Sequence, residues 1–354
     1  MVKNRRPHTL VVRMDSMGDV LLAGPAVRAI ADGSRRVSFF AGPLGADAAR
    51  LLPGVDEVLE WSCPWILAHP DRVRRRDVVR LVSRVRRLSV DKALILTSFH
   101  QSALPMALLL RMAGVPWIGA VSEDYPGALL DLRHPDPGDV HEVNRALSLA
   151  STAGFGLPPD DDGRLAVQVD EHLARSVPAV DVVLHPGTSV PARAWPPASW
   201  ATTCRLLTNS GLRIAVTGSA LERPLTASVA DGTNALDLGG RTSLAQLAAV
   251  LHRARVVVVA NTGAAHLAAA THTPVVSLFA PTVPAVRWAP YGTTVALLGD
   301  QEAACRGTRA TICPIPGHPC LTTVSPKDVV EAVVRLHPSH PETPAQLEQL
   351  GGLR

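Results

Sequence analysis

The chain has 354 residues, 47% hydrophobic and 19% charged, which is enough apolar material for two domains and too much for a disordered chain. A net charge of +4, an aromatic content of 4% and the absence of any recognised motif argue against nucleic acid as a partner. The positive charge is nearly all arginine, with lysine only at Lys3, Lys92 and Lys327, a bias that a GC-rich genome produces.

Five cysteines without short paired spacing, and an N-terminus with charges on both sides of its apolar run, point to a cytoplasmic protein without a signal sequence. No uninterrupted apolar run reaches roughly 18 residues. The longest candidate, 104–120, is broken by Arg111 and two prolines.

In chain order, 9–13 reads as a buried strand, 14–18 as a loop and 19–31 as a helix. A strand at 36–41, a helix at 72–88, a strand at 93–97 and a helix at 103–112 follow. The 72–88 helix places Val78, Leu81, Val82, Val85 and Leu88 on one face. The segment 157–164, LPPDDDGR, has prolines and carboxylates but no apolar pattern, so the domain boundary falls between about 157 and 180. A short helix is expected at 170–178. A second series runs through strands at 182–185, 213–217 and 256–260, with helices near 199–207 and 243–252. A helix at 325–336 opens with Ser325-Pro326, a capping serine before a first-turn proline. The order is that of an α/β protein with two Rossmann-like, doubly wound domains facing each other across a cleft. Residues 1–170 are expected to form the first domain, 178–325 the second, and 326–354 a terminal helix and tail.

Three strand-to-helix turns carry the candidate chemistry. Asp15 and Asp19 lie on the first, with Gly18 letting the backbone turn; an aspartate there most often caps a helix, but it also suits a general base. His185-Pro-Gly-Thr188-Ser189 with Arg193-Ala-Trp195-Pro196 follows the first strand of the second series, where Thr188, Ser189 and Arg193 suit a diphosphate; the bland alternative is a loop over packed tryptophans. Glu222 follows Thr217-Gly-Ser219 and suits ribose hydroxyls, or else a solvated helix start. The most informative stretch is Val256 to Thr282. There a strand of four valines meets Asn261-Thr262-Gly263 and an alanine-rich helix with His266 inside its first turn, a place where free N–H groups and the helix dipole favour an anion. Neither Gly-x-Gly-x-x-Gly nor a Walker lysine motif is present.

Together these turns resemble glycosyltransferase family 9, the ADP-heptose:lipopolysaccharide heptosyltransferases. Met17-Gly18-Asp19-Val20 matches the opening loop, Pro186-Gly187 and Arg193-Ala-Trp195-Pro196 the start of the second domain, and Asn261-Thr262-Gly263-Ala-Ala-His266 the Asp-Thr-Gly-x-x-His turn. Cys313-Pro and His318-Pro319-Cys320-Leu321 match the late cysteine pattern, so the likeness spans about residues 9 to 335. It implies a GT-B fold, with residues 1–170 as the acceptor-binding domain and 178–325 as the nucleotide-sugar domain, and an inverting, metal-independent transfer from a nucleotide-sugar, ADP-heptose in the family, with no separate cofactor. Asp19 is the implied base. Arg193 stands for the phosphate-binding lysine, Glu222 for the ribose acid, and Thr262, Gly263 and His266 for the diphosphate turn. Asn261 replaces the usual aspartate and loses its charge, which leaves open another nucleotide-hexose donor or a catalytically impaired nucleotide-sugar binder. The acceptor is expected to be a glycan, a lipid-linked sugar or a natural product.

Ser98, His100 and Gln101 follow a strand end and are expected on the acceptor side. Asp160-Asp161-Asp162 contains the Asp-x-Asp of metal-dependent transferases but sits in the linker, where it reads as solvated charge. Cys305, Cys313, His318 and Cys320 lack Cys-x-x-Cys spacing and read as a packed loop, not as zinc ligands. Between Arg72 and Arg87 the helix segment carries eight arginines, a solvated face or a peripheral contact with an anionic membrane.

Overall fold

A computed structural model gives the fold and describes residues 6–67 and 70–337. The amino-terminal half contains strands β1 (His8–Arg13), β2 (Arg36–Ala41), β3 (Glu57–Glu60), β4 (Lys92–Ile95), β5 (Trp117–Val121) and β6 (Leu132–His134). Its helices are α1 (Met17–Leu22), α2 (Gly24–Gly33), α3 (Ala46–Leu51), α4 (Arg75–Leu88), α5 (Leu104–Met112) and α6 (Glu142–Thr152). After α7 (Glu171–Ser176), the second half contributes β7 (Val182–His185), β8 (Ile214–Val216), β9 (Leu236–Asp237), β10 (Val256–Ala260), β11 (Val275–Leu278) and β12 (Val295–Leu298). Between and after these strands lie α8 (Pro197–Asn209), α9 (Arg223–Ala230), α10 (Leu244–Arg253), α11 (Gly263–Ala270), α12 (Ala285–Trp288), α13 (Pro319–Thr322) and α14 (Pro326–Leu336).

Each half is one six-stranded sheet, ordered β3-β2-β1-β4-β5-β6 and β12-β11-β10-β7-β8-β9, with every pairing parallel. Counted from the first strand of each half, both orders are 3-2-1-4-5-6, that of a doubly wound nucleotide-binding sheet. The strand order reverses between β1 and β4 and between β7 and β10, so crevices open at the carboxyl ends of those four strands. The central strands β1 and β10 are buried along their whole length, which is why β10 reads as an unbroken apolar run and β1 has one at its centre, Leu10 to Val12.

Two expected helices change. The helix foreseen at 19–31 is two, because Gly24-Pro25 follows Ala23: proline lacks the N–H a continuing helix needs, and the chain restarts with it in the first turn of α2. The arginine helix begins at Arg75, not at residue 72. The linker's Asp161 is not solvated charge, since its Oδ2 accepts a 2.5 Å bond from Arg28 Nε and its Oδ1 one from Arg28 Nη2 at 2.8 Å. The arrangement is bidentate and anchors the linker to α2. α14 packs on α8, β10 and β11 as part of the second half. The tail expected beyond Pro338 lies outside the described residues.

The two halves meet through α1 and α11. Buried apolar side chains run from Val20 and Leu21 to Ala264, Ala265 and Leu267. Glycine is needed at this crossing. A Cβ at Gly18 would stand 2.9 Å from His266 Cδ2 and 3.3 Å from Gly263 Cα, and one at Gly263 2.4 Å from Met17 Cε. The N-termini of the two helices therefore meet at the cleft.

Candidate active site

Arg13, the last residue of β1, organises the amino-terminal side. Its side chain is 3% exposed, and its guanidinium lies 2.7 Å from Asp15 Oδ2, 3.1 Å from Asp19 Oδ1 and 3.5 Å from Glu142 Oε2, while also donating to Ser98 Oγ at 2.8 Å. Burial alone would favour losing its proton, but the three carboxylates hold it charged. Neither Arg13 nor Glu142 is foreseen from the sequence. Glu142 starts α6, whose Val143, Ala146 and Leu149 carry helical spacing in a segment otherwise lacking strand or turn signals.

Asp19 is the third residue of α1, not its cap; Ser16 occupies the cap position and donates from Oγ to Asp19 Oδ2 at 2.9 Å. Burial pushes the Asp19 carboxyl toward protonation, but Arg13, the Ser16 hydroxyl and His266 outweigh it and hold the group below its ordinary range. Asp15 goes the other way, raised chiefly by burial and further by Asp19, against the pull of Arg13 and Gln101. Asp19 is also the more accessible, its side chain 20% exposed against 8% for Asp15. Ser98 and Gln101 are engaged in holding this cluster: Ser98 accepts from Arg13, Gln101 donates to Asp15, and the Ser98 N–H donates to Gln101 Oε1 at 3.2 Å. His100 faces the other half, where its Nε2 accepts from Arg309 Nη2 at 2.9 Å.

Opposite lie the carboxyl ends of β7 and β10. Arg193, in a short turn after β7, donates from Nη1 to the Asn261 carbonyl at 3.3 Å and has no carboxylate partner among the described residues. Its proton is loosened by burial and by the nearby Arg309, against the pull of Asp19. Asn261 is buried, and its amide spans to Ala280 after β11: Nδ2 donates to the Ala280 carbonyl and Oδ1 accepts from the Ala280 N–H, both at 3.4 Å. Thr262 caps α11 without a side-chain bond, and its Oγ1 is buried with no partner within the protein. His266 Nδ1 is buried in the same condition, and burial together with His141 pushes the imidazole down to about 4, so the ring is neutral. These orphaned polar atoms, an arginine without a carboxylate and the start of α11 lie together at the carboxyl ends of β7 and β10, the chemistry that an anion would satisfy.

Glu222 sits behind Gly187. A Cβ there would stand 2.1 Å from Glu222 Oε1, so only glycine lets the carboxylate lie against the β7 turn. Glu222 Oε2 accepts from the Ser219 N–H at 2.7 Å. Thr188 folds back onto Val190, accepting from its N–H at 3.2 Å, and Ser189 is exposed. In the late cysteine segment Cys305 and Cys320 are buried, His318 Nε2 lies 3.1 Å from the Ala192 carbonyl, and Cys313 Sγ is bonded to the Ile315 carbonyl at 3.4 Å. No cluster able to hold a metal ion occurs among the described residues.

Away from the cleft, a cavity of about 540 Å3 lies beneath α4, lined by Trp61, Pro64, Leu67, Arg72, Arg74 and Arg84. Among the described residues no helix is long and apolar enough to cross a membrane.

The fold is that of two Rossmann-like halves meeting at a cleft, with the Asp19 carboxylate on one side and Arg193 with the start of α11 on the other. Residues 78–315 match the family described as glycosyltransferase family 9 (heptosyltransferase). Lipopolysaccharide heptosyltransferase 1 of Pseudomonas aeruginosa is 30% identical over 321 residues, covering 82% of this chain and 83% of the relative. Among solved structures, a family 9 glycosyl transferase from Veillonella parvula superposes with a TM-score of 0.75 at 16% identity, covering 94% of this chain and 97% of its own. The E. coli heptosyltransferase WaaC with ADP superposes at 0.72 and 20% identity, covering 93% and 99%. The chain belongs to glycosyltransferase family 9, and it is a glycosyltransferase with two Rossmann-like domains.

Proposed function

We propose that this enzyme moves heptose from ADP-heptose to a hydroxyl of a lipopolysaccharide-type glycan, with inversion and without a metal. The relatives named as lipopolysaccharide heptosyltransferases support the sugar and the acceptor. The observation that carries the mechanism is the opposition of an ionised, partly exposed Asp19 to an anion site made by Arg193, Thr262 and the start of α11. An acceptor hydroxyl on the Asp19 side gives its proton to that carboxylate as its oxygen attacks the anomeric carbon. The leaving diphosphate gains charge on the opposite side, so attack and departure are in line and the configuration inverts. Arg193, the N–H groups of α11 and one hydrogen bond from neutral His266 take up that charge, the part a metal plays elsewhere. In this reading Glu222 accepts from the ribose hydroxyls with the carboxylate that also caps the Ser219 turn. The reaction runs in the cytoplasm, with α4 against an anionic membrane surface. One observation favours a second donor sugar on the same nucleotide: the Asn261 amide is committed to Ala280 and carries no charge.

Incubating the enzyme with ADP-heptose and a truncated inner-core acceptor, with and without EDTA, tests this reading. The expected product is a heptose-extended glycan of inverted anomeric configuration by NMR, at a rate that EDTA leaves unchanged. Retention, a chelator-sensitive rate, or turnover only with another nucleotide-sugar contradicts it.

A further inference from the structure

Arg309 lies on the loop between β12 and α13 and belongs to none of the sequence motifs. Its backbone has φ +57°, uncommon for a residue with a side chain, and is held there by its N–H donating to the Thr282 carbonyl at 2.8 Å. The same loop grips the Arg193 turn from two sides. The Ala192 N–H donates to the Thr311 carbonyl at 3.0 Å, and His318 Nε2 lies 3.1 Å from the Ala192 carbonyl. Arg193 and Arg309 are thus set by one piece of backbone, close enough that the Arg309 charge acts on Arg193.

Among the described residues Arg309 has no carboxylate partner. Its guanidinium donates to His100 Nε2 at 2.9 Å and lies 5.8 Å from the centre of the Phe99 ring, both on the amino-terminal half. Arg287 covers the same ring at 4.4 Å but is bonded to Asp139 at 2.7 Å. A neutral imidazole and a shared aromatic face hold a guanidinium weakly compared with oxyanions, which it meets bidentately. Two like charges, neither in an ion pair with a carboxylate among the described residues, beside a buried Thr282 whose Oγ1 also has no partner, are an arrangement that an anion stabilises.

We propose that Arg309 is a second cation of the leaving-group site: it rests on His100 and Phe99 when the cleft is empty and turns onto the diphosphate beside Arg193 when a nucleotide enters. The inference rests on the nucleotide-sugar reading above. It makes the loop from Gly299 to His318 part of the binding machinery, and it makes nucleotide arrival release a contact between the halves.

Calorimetric titration of ADP and of adenosine into the wild-type enzyme, Arg309→Ala, Arg309→Lys and Arg193→Ala tests it, with circular dichroism confirming that each variant is folded. Arg309→Ala is expected to weaken ADP by on the order of 10- to 100-fold, the range of a charge-assisted hydrogen bond, while leaving adenosine unchanged. Arg309→Lys is expected to recover part of the loss, since the charge returns without the bidentate fork. Equal weakening of ADP and adenosine makes Arg309 a structural latch and overturns the proposal. ADP binding lost in Arg193→Ala but intact in Arg309→Ala overturns it alone. Binding intact in both variants takes the diphosphate away from both arginines and overturns the proposal, whereas no ADP binding by the wild-type enzyme removes the nucleotide reading itself.

Discussion

Asn261 carries two hydrogen bonds to the Ala280 backbone that an aspartate at the same position would not reproduce. A carboxylate still accepts from the Ala280 N–H but cannot donate to the Ala280 carbonyl, and it sets two acceptors against each other. Asn261→Asp is therefore expected to lose about 1–3 kcal/mol of stability, seen as a lower midpoint in chemical denaturation at unchanged slope. An unchanged midpoint contradicts this role for the amide. What could be read at this scale followed from local pattern. Asp19, Arg193 and Asn261 each sit just past a strand, where three or four neighbouring residues identify the turn. Arg13 and Glu142 could not be paired that way, because they are 129 residues apart and meet only once β1 and α6 are packed. Arg309 sits in an irregular loop with no period to mark it.

At the scale of elements, α1 and α11 pack closely where the two halves meet. Gly18→Ala is expected to push the helices apart, because its Cβ meets the His266 ring at 2.9 Å and the Gly263 backbone at 3.3 Å. The expected result is a protein that still folds but turns over at least about 10-fold more slowly, since small displacements of opposed groups are costly. Wild-type turnover in the purified variant contradicts it. α4 exposes Arg76 and Arg80, with Val79 half-exposed beside them and Val73 on the loop before it. Co-sedimentation with anionic vesicles is expected in low salt, and is expected to be lost in vesicles of neutral lipid; no difference between the two lipids returns this face to ordinary solvated charge. Strands leading into a recognisable turn were legible, β7 and β10 to the residue, whereas the apolar β5 (WIGAV) and β12 (VALL), which lead into no such turn, were not foreseen. The short edge strands were not: Glu57–Glu60 and Leu132–His134 are half polar, and pairing with a neighbour, not their own pattern, makes them strands.

The whole molecule couples its stability to the site through His266. Its imidazole is pushed down to about 4 by burial and by His141, against an ordinary value near 6.5. The folded protein therefore binds this proton less readily than the unfolded chain, so the associated stability is intact above about pH 6.5 and is lost as the pH falls toward 4, in total about 3 kcal/mol. Melting curves across this interval are expected to fall more steeply for the wild type than for His266→Gln. The difference between the two isolates His266 from His100, which burial and Arg309 push down to the same range. Parallel curves contradict the assignment.

The two sheets share one strand order, and the proposed mechanism puts the base at the switch point of one and the anion site at that of the other. The most direct test of that division of labour is ADP release from ADP-heptose, measured with an inner-core acceptor for the wild type and for Asp19→Asn. The expected result is a loss of at least about 100-fold in release with donor affinity unchanged, the size of a lost general base. Equal rates in the two proteins would contradict Asp19 as the base and with it the proposed mechanism.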